Sequence, residues 1–206
     1  MNQRSVKIKH YFLKDINPVI RFLIISDTVF MSAAGLLGPI FALFIEGFIR
    51  GGNASVAGIA AGIYLFTKSV FQIPIANFID KVRGEKDDFW LMFCFTILIA
   101  LTPLLYLIIN LPIQLYIVQF FLGLFTAFTF PTYMAIFTRH VDKNKEGTEW
   151  GVYFTLVDLI SAMFAVIGGY VATAQGFPIL IIAVVAISLL GAMLLFPIRP
   201  YIKISS

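Results

Sequence analysis

Three ionisable residues lie inside long apolar stretches of the sequence, where a charge points to chemistry with a proton, an ion or a bound molecule. Asp27, Lys68 and Asp158 are each surrounded by Leu, Ile, Val, Phe and Ala. A charged side chain costs about 2.5–3.5 kcal/mol at the centre of a membrane helix, so each needs a partner or water. These three residues are therefore the first candidates for contact with a solute or a coupling ion.

A second group of candidates combines a polar atom or a flat ring with a position inside an apolar stretch. Such side chains suit the wall of a central cavity, and core packing is the alternative for each. The group consists of Tyr64, Phe71, Gln72, Gln119, Tyr133 and Tyr153.

The residues that other chemistries would need are missing from the sequence. We find no nucleophile with a neighbouring base, no phosphate-binding loop and no metal-binding spacing of His, Glu and Cys. The single cysteine, Cys94, lies in an apolar run and has no partner for an internal disulfide. The sequence therefore predicts a protein that is not an enzyme, with no cofactor and no metal site.

The composition makes lipid the solvent for most of this chain. Of its 206 residues, 60% are hydrophobic and 13% are charged, against about 45–50% and about 25% in a soluble domain. The net charge of +4 comes from basic residues beside the apolar runs, which argues against a nucleic-acid partner. We expect an all-α integral membrane protein.

Hydropathy predicts six membrane spans, since each apolar run reaches the roughly 20 residues that cross a bilayer. The connectors at 80–88 and 139–146 are charged, whereas those at 51–53, 110–112 and 174–177 are short and neutral. Proline lies inside several spans, at positions 39, 74, 103 and 131, and is expected to bend them. The predicted spans are 20–46, 54–79, 89–109, 113–138, 148–172 and 178–197.

The distribution of Lys and Arg predicts the orientation. Outside the spans, the neutral side carries only Arg50, and the other basic residues lie on the side of the charged connectors and of both termini. Because positive charge resists translocation, that side is expected to be cytoplasmic. We predict a multi-pass protein of the plasma membrane with a cytoplasmic amphipathic segment at 1–19, a transmembrane domain at 20–198 and a short cytoplasmic tail at 199–206.

The two halves of the sequence resemble each other. Pro39 in the first span corresponds to Pro131 in the fourth, and Gly62-Ile-Tyr64 in the second corresponds to Gly151-Val-Tyr153 in the fifth. Three spans per repeat is an odd number, so the second copy enters from the opposite side of the membrane. The sequence therefore predicts two inverted three-helix repeats, a pattern of many secondary transporters.

The loop after the second span carries a family resemblance. Residues 76–86 read Ala-Asn-Phe-Ile-Asp-Lys-Val-Arg-Gly-Glu-Lys and resemble the signature loop of the major facilitator superfamily, Gly-x-x-x-Asp-Arg/Lys-x-Gly-Arg/Lys-Arg/Lys. Ala76 replaces the first glycine, and Gly84 comes one residue late. The resemblance implies a gating role for Asp80, Lys81 and Arg83.

Two further motifs are similar to those of the superfamily. Gly168-Gly169 matches the glycine pair that closes its fifth helix, without the Gly-Pro that precedes it there. Gln119 takes the place of the arginine in an Arg-x-x-x-Gly motif associated with proton coupling, and an amide cannot serve as that cation. The resemblance covers nearly the whole chain but only one six-helix half of the superfamily's fold.

The resemblance implies a homodimer through spans 2 and 5, equivalent to a twelve-helix transporter. Lys68 of one subunit would then pair with Asp158 of the other, with pairing inside one subunit, snorkelling of Lys68 and separate roles as the alternatives. Asp80 would cap the partner's span 5 around 147–151, or remain solvated in its loop. Asp27 would hold a cation or a proton, or lie solvated near the inner surface.

The function that follows is secondary active transport of a small apolar or amphipathic solute by alternating access. Too few fixed charges lie in the spans for a nucleotide or sugar phosphate, and Asp27 and Asp158 are the candidate proton carriers. The alternative is a membrane interaction or assembly protein that does not transport. The expected partners are a second copy, lipid, a small solute and protons.

Overall fold

The computed structural model describes residues 16–81 and 84–202, and within them it contains six helical segments long and apolar enough to cross a membrane. This confirms the six predicted spans. Most observed segments extend one to four residues beyond the predicted ends, because charged and polar residues at the helix ends remain helical. The segments, here called spans 1 to 6, are Pro18–Phe48, Ala54–Lys81, Glu85–Leu107, Pro112–His140, Glu146–Gln175 and Phe177–Tyr201.

The four prolines inside the spans have two different effects. Span 1 changes to a 3-10 turn over Gly38–Ile40, around Pro39, and span 3 does so over Thr102–Leu107, which includes Pro103. The helices Ala54–Lys81 and Pro112–His140 continue without a break through Pro74 and Pro131. Sequence alone did not distinguish these two outcomes.

Local signals explain where the spans begin and end. The Asn17 side chain accepts a hydrogen bond of 2.9 Å from the backbone of Val19 at the start of span 1, and Asn53 does the same for Val56 at 3.0 Å in span 2. Such side-chain caps satisfy the free amides of a first helical turn. Gly176, with φ of 86°, ends span 5 in a conformation that favours glycine and starts span 6 directly afterwards.

The spans pack in a regular pairwise pattern. Span 2 packs mainly against span 4, span 1 against spans 5 and 6, and span 3 against spans 4 and 6. Spans 2 and 5 are the least covered by the rest of the protein. In the most apolar stretch of each, only 11% of the residues are buried, compared with 28–44% in the other four spans. One side of the bundle therefore presents two poorly covered helices.

Beside a small cluster of Ile75, Ile79 and Ala127 between spans 2 and 4, two large hydrophobic clusters fill the bundle at different depths. One lies towards the end that carries the charged connectors, here called the charged end, and includes Ile20, Ile24, Phe89 and Phe137. The other lies towards the opposite, neutral end and includes Leu36, Phe44, Leu115 and Leu180. Residues 26–31 of span 1 fall between the clusters, which leaves this level free for a cavity.

Glycines bring neighbouring spans into close contact. A Cβ at Gly168 would overlap the backbone carbonyl of Leu36, and one at Gly35 would lie 2.7 Å from the carbonyl oxygen of Ser161, so spans 1 and 5 meet backbone to backbone. Gly123 makes the equivalent approach to span 2 beside Tyr64. Small residues at such crossings stabilise membrane bundles by close van der Waals packing.

These contacts predict that Gly168→Ala destabilises the bundle while its neighbour Gly169→Ala does not. A methyl group at 168 meets the Leu36 backbone, which cannot move aside cheaply, whereas one at 169 meets nothing within 4 Å. We expect the unfolding free energy to fall by about 1–3 kcal/mol for Gly168→Ala and to change little for Gly169→Ala. Thermal unfolding of the two variants in the same detergent measures the difference, and equal stabilities would contradict the packing described here.

Candidate functional site

A cavity of about 480 Å³ lies between the two hydrophobic clusters and receives side chains from all six spans. Most of its wall is apolar. Aromatic rings form much of it, and they come from spans 1 to 5. These rings belong to Phe30, Phe41, Tyr64, Tyr106, Phe130, Tyr133 and Tyr153.

Asp27 is the one charged residue that the structure places in the wall of this cavity. Its Oδ2 accepts a hydrogen bond of 2.6 Å from the hydroxyl of Tyr153, 126 residues along the chain. The Tyr133 ring lies 5.8 Å from that of Tyr153, and its buried hydroxyl has no hydrogen bond of ordinary geometry within the described residues. Spans 1, 4 and 5 thus bring a carboxylate and two phenols to one place.

The other polar groups of the cavity are largely occupied within the protein. The Gln119 amide donates to the Tyr106 hydroxyl at 3.2 Å, and Ser26 donates to the backbone carbonyl of Gly191 at 2.7 Å. The hydroxyls of Thr96, Thr126 and Thr129 donate to carbonyls one turn back in their own helices. The polar groups that remain for a bound molecule are Asp27, the hydroxyls of Tyr64 and Tyr133, and the carbonyl oxygen of Gln119.

The structure divides the residues singled out in the sequence into two groups. Those that line the cavity are Asp27, Tyr64, Gln119, Tyr133 and Tyr153. Gln72 is half-buried on span 2 outside the cavity wall, and Phe71 lines a shallow apolar groove on the outside of spans 2 and 4. Tyr64 and Gln72 are about two turns apart, so only the packing of span 2 separates their surroundings.

Lys68 and Asp158 do not meet within the chain. The Lys68 ammonium lies 4.7 Å from the centre of the Phe130 ring, whose side chain lines the cavity. Asp158 is exposed on span 5. No ion pair joins these residues within 16–81 and 84–202, so pairing inside one subunit is absent here.

The described residues of the predicted gating loop lie at the charged end. Asp80 and Lys81 end span 2 and are exposed. Arg83 and the segment 1–15, most of the predicted amphipathic leader, fall outside the described residues. Among the described residues, no group of three or more His, Cys, Asp and Glu side chains is close enough to hold a metal ion.

Two buried carboxylates near the charged end were missed by the sequence reading. Asp88, which is 2% exposed, pairs with Arg139 and connects spans 3 and 4. Glu149, at the start of span 5, is fully buried and accepts a hydrogen bond of 3.3 Å from the backbone of Asp142. In the sequence, Asp88 belongs to a predicted connector and Glu149 lies in the first turn of a predicted span, so neither stood out as buried. Only the packed bundle shows their burial.

Comparison with known proteins gives two matches. A family profile described as the Major Facilitator Superfamily matches residues 23–204. An uncharacterised MFS-type transporter of Methanocaldococcus jannaschii is 25% identical over 146 residues. That alignment covers 71% of this chain and 36% of the archaeal protein, so the chain spans little more than a third of the relative that it matches.

The Asp88–Arg139 contact gives a direct prediction for the charged end. Arg139→Gln removes the counter-ion of a buried carboxylate, and we expect it to lower the unfolding free energy by about 1–3 kcal/mol. Asp88→Asn combined with Arg139→Gln should recover most of this loss, because the buried charge is then gone. Lys143→Gln, an equal change of charge at an exposed position, is the control, and a loss as large there would contradict a specific pair.

Proposed function

The chain belongs to the Major Facilitator Superfamily, and from that premise we propose that it is a secondary active transporter in which two copies move a small apolar or amphipathic solute by alternating access. The observation that carries this proposal is the cavity at mid-bundle, built from all six spans. Its volume of about 480 Å³ lies within the range of roughly 300–1,000 Å³ that small-molecule sites occupy. Its apolar wall, without a cluster of basic side chains, suits such a solute better than a phosphorylated one.

The second copy in this proposal covers spans 2 and 5. Large apolar side chains stand exposed on both, among them Phe66 and Ile73 on span 2 and Val166 and Tyr170 on span 5. Lipid can cover apolar groups as well as protein can, so these alone do not require a partner. The exposed carboxylate of Asp158 also lies on span 5, and unlike an apolar group it is poorly accommodated by lipid, which favours a partner there.

Charge complementarity favours a second copy of the same chain. Lys68 is about 13 residues from the charged end of span 2, and Asp158 is about 12 residues from the charged end of span 5, so the two lie at one depth. A twofold axis along the membrane normal would place span 2 beside the partner's span 5. Each Lys68 would then face the partner's Asp158, which gives two symmetric pairs.

Shape complementarity supports the same arrangement at the neutral end. Gly58 and Gly62 leave open space on span 2, about four and eight residues from that end. Tyr170 and Val166, exposed by 75% and 76%, are about five and nine residues from the same end of span 5. In the dimer, two large side chains of one copy therefore face two glycines of the other.

A matching arrangement occurs at the charged end with the roles of the spans exchanged. Gly147 and Gly151 leave open space on span 5, near the level of the exposed Phe78 and Asp80 on span 2. A carboxylate at a helix start gains about 0.3–1 kcal/mol from the helix dipole, so Asp80 would cap the partner's span 5 here. The dimer would then close at the neutral end through Gly58 and Gly62 of span 2, and at the charged end through Gly147 and Gly151 of span 5.

The internal repeat accounts for this exchange. Gly58, Gly62 and Tyr64 recur after 89 positions as Gly147, Gly151 and Tyr153. The packing pattern also maps onto itself when spans 1 to 3 are exchanged with 4 to 6: the contact of 2 with 4 becomes that of 5 with 1, and 1 with 6 becomes 4 with 3. Both observations support two inverted repeats with equivalent closing surfaces at opposite ends.

Alternating access follows from these surfaces if the copies rock about their shared axis. Closing the neutral end brings Gly58 and Gly62 against the partner and opens the charged end, which we assign to the cytoplasm from its basic residues. The reverse movement closes the charged end. Asp27 and Asp158 are the candidate proton carriers, and breaking the Lys68–Asp158 pairs would accompany each change of state.

Disulfide cross-linking between two differently tagged copies, in a Cys94→Ser background, tests the arrangement. We expect Gly62→Cys with Val166→Cys to cross-link copies at the neutral end, and Phe78→Cys with Gly151→Cys to do so at the charged end. Exposed positions on spans 3 and 6, Leu98→Cys with Leu190→Cys, are the matched control. A static assembly protein would cross-link through one pair only, and cross-linking no stronger than the control would contradict the dimer.

The charge pairs give a separate prediction. Lys68→Ala or Asp158→Ala alone leaves one charge without its partner, and we expect dimer dissociation to rise about tenfold or more. The exchange Lys68→Asp with Asp158→Lys restores opposite charges and should recover most of the affinity, whereas Glu46→Ala, an exposed acid of span 1, should change little. Dilution experiments in lipid bilayers measure the dissociation of the dimer. If the charge-exchanged variant dissociates as readily as the single variants, the proposed Lys68–Asp158 pairs are contradicted.

A further inference from the structure

The charge and chemistry of the cavity wall define the class of solute more closely than the volume of the cavity does. We propose that the cavity binds an organic cation with an apolar or aromatic body, held by the Asp27 carboxylate and by the surrounding aromatic rings. This inference rests on the transport function proposed above and deepens it. It names the class of solute that the same site accepts.

The charge of the cavity wall favours a cation. Asp27 is the one ionisable residue with a full charge in its lining, and the part of the chain that the structure describes contributes no Lys, Arg or His to it. Tyr153 donates a hydrogen bond to Oδ2 but brings no positive charge. An isolated carboxylate in apolar surroundings favours a cationic partner, because water no longer screens it.

The aromatic rings of the cavity wall also favour a cation. Seven aromatic side chains line the cavity, and five of them come from the spans that meet at Asp27: Phe30, Phe41, Phe130, Tyr133 and Tyr153. The faces of such rings attract cations by their quadrupole, most strongly where water is excluded. The chain already shows this contact on the far side of the wall, where the Lys68 ammonium lies over Phe130.

Most hydroxyl groups in the cavity wall already donate a hydrogen bond within the protein, which leaves the groups around Asp27 for a solute. The threonines and Ser26 donate to backbone carbonyls, and Gln119 donates to Tyr106. The Tyr133 hydroxyl, on a side chain that is only 7% exposed, has no hydrogen bond of ordinary geometry within the described residues. This hydroxyl lies close to that of Tyr153, which donates onward to Asp27, and the Tyr133 oxygen still offers a contact to a bound solute.

Lys68 is the positive charge nearest to this site on span 2. Its ammonium interacts with Phe130 and is absent from the cavity wall. In the dimer it would face the partner's Asp158. Asp27 supplies a single negative charge to the cavity wall and can balance a single positive charge, so the proposal is confined to monocations.

Binding of two ions of nearly equal shape and opposite charge tests the proposal. Tetraphenylphosphonium is the cationic probe and tetraphenylborate the anionic one, each measured alone with the full chain in lipid nanodiscs at pH 8. We expect saturable phosphonium binding and a rise in thermal stability, followed through the fluorescence of Trp90 and Trp150. Borate should neither saturate nor stabilise.

Variants then assign the selectivity to one residue. Asp27→Asn should raise the Kd for phosphonium at least about tenfold, while Asp27→Glu should keep a preference for the cation. Glu46→Gln makes the same change of charge on the same span, at an exposed position away from the cavity, and should stay within about twofold of the parent.

Three results would overturn the inference: no saturable phosphonium binding to the parent chain, borate binding as tight as that of phosphonium, or an unchanged Kd in Asp27→Asn. If Asp27→Asn does not fold, the comparison of phosphonium and borate binding to the parent chain still tests whether the cavity prefers a cation. Binding requires neither a gradient nor movement of the copies. A negative result here therefore leaves the cross-linking test of transport intact, and a failed cross-link leaves this result valid.

Discussion

The hydrocarbon of a bilayer offers a charged side chain neither water nor counter-ions, and this constraint divides the three ionisable residues at mid-membrane into two kinds. Asp27 lies inside its own bundle, at a cavity wall and hydrogen-bonded to Tyr153. The Lys68 ammonium lies over the Phe130 ring, and Asp158 is exposed. One chain accommodates Asp27 by itself, and in the proposed dimer the other two residues accommodate each other. The proposed second copy depends on that difference.

The glycines also fall into two groups, one packed inside the bundle and one on its proposed interface. Gly35, Gly123 and Gly168 press against the backbone of a neighbouring span, so the bundle is tightly joined and the cavity has a firm wall. Gly62 and Gly151 have open space beside them on the two least covered spans. A transporter that rocks one bundle against another needs both properties: firm contacts within each bundle, and flat surfaces that meet and separate between bundles.

The sequence predicted the six spans because apolar length leaves little ambiguity, and the family because Asp80-Lys81 and the glycines stand at recognisable positions. It also found Asp27 and Tyr153 as separate candidates. Their hydrogen bond joins residues 126 positions apart, which no local pattern reveals. Tyr64 and Gln72 looked equivalent until the packing of span 2 placed only Tyr64 in the cavity, and the burial of Asp88 and Glu149 at span ends likewise depends on neighbouring helices.

The most direct test of the central claim, that a second copy completes the transport pathway, is the mass of the intact particle released from native membranes with its lipid. The account predicts twice the 23.0 kDa of one chain, and conversion to single chains by Lys68→Ala together with loss of solute movement in liposomes. Single chains that still move solute after reconstitution, at a protein density too low for two copies to share a vesicle, would contradict it.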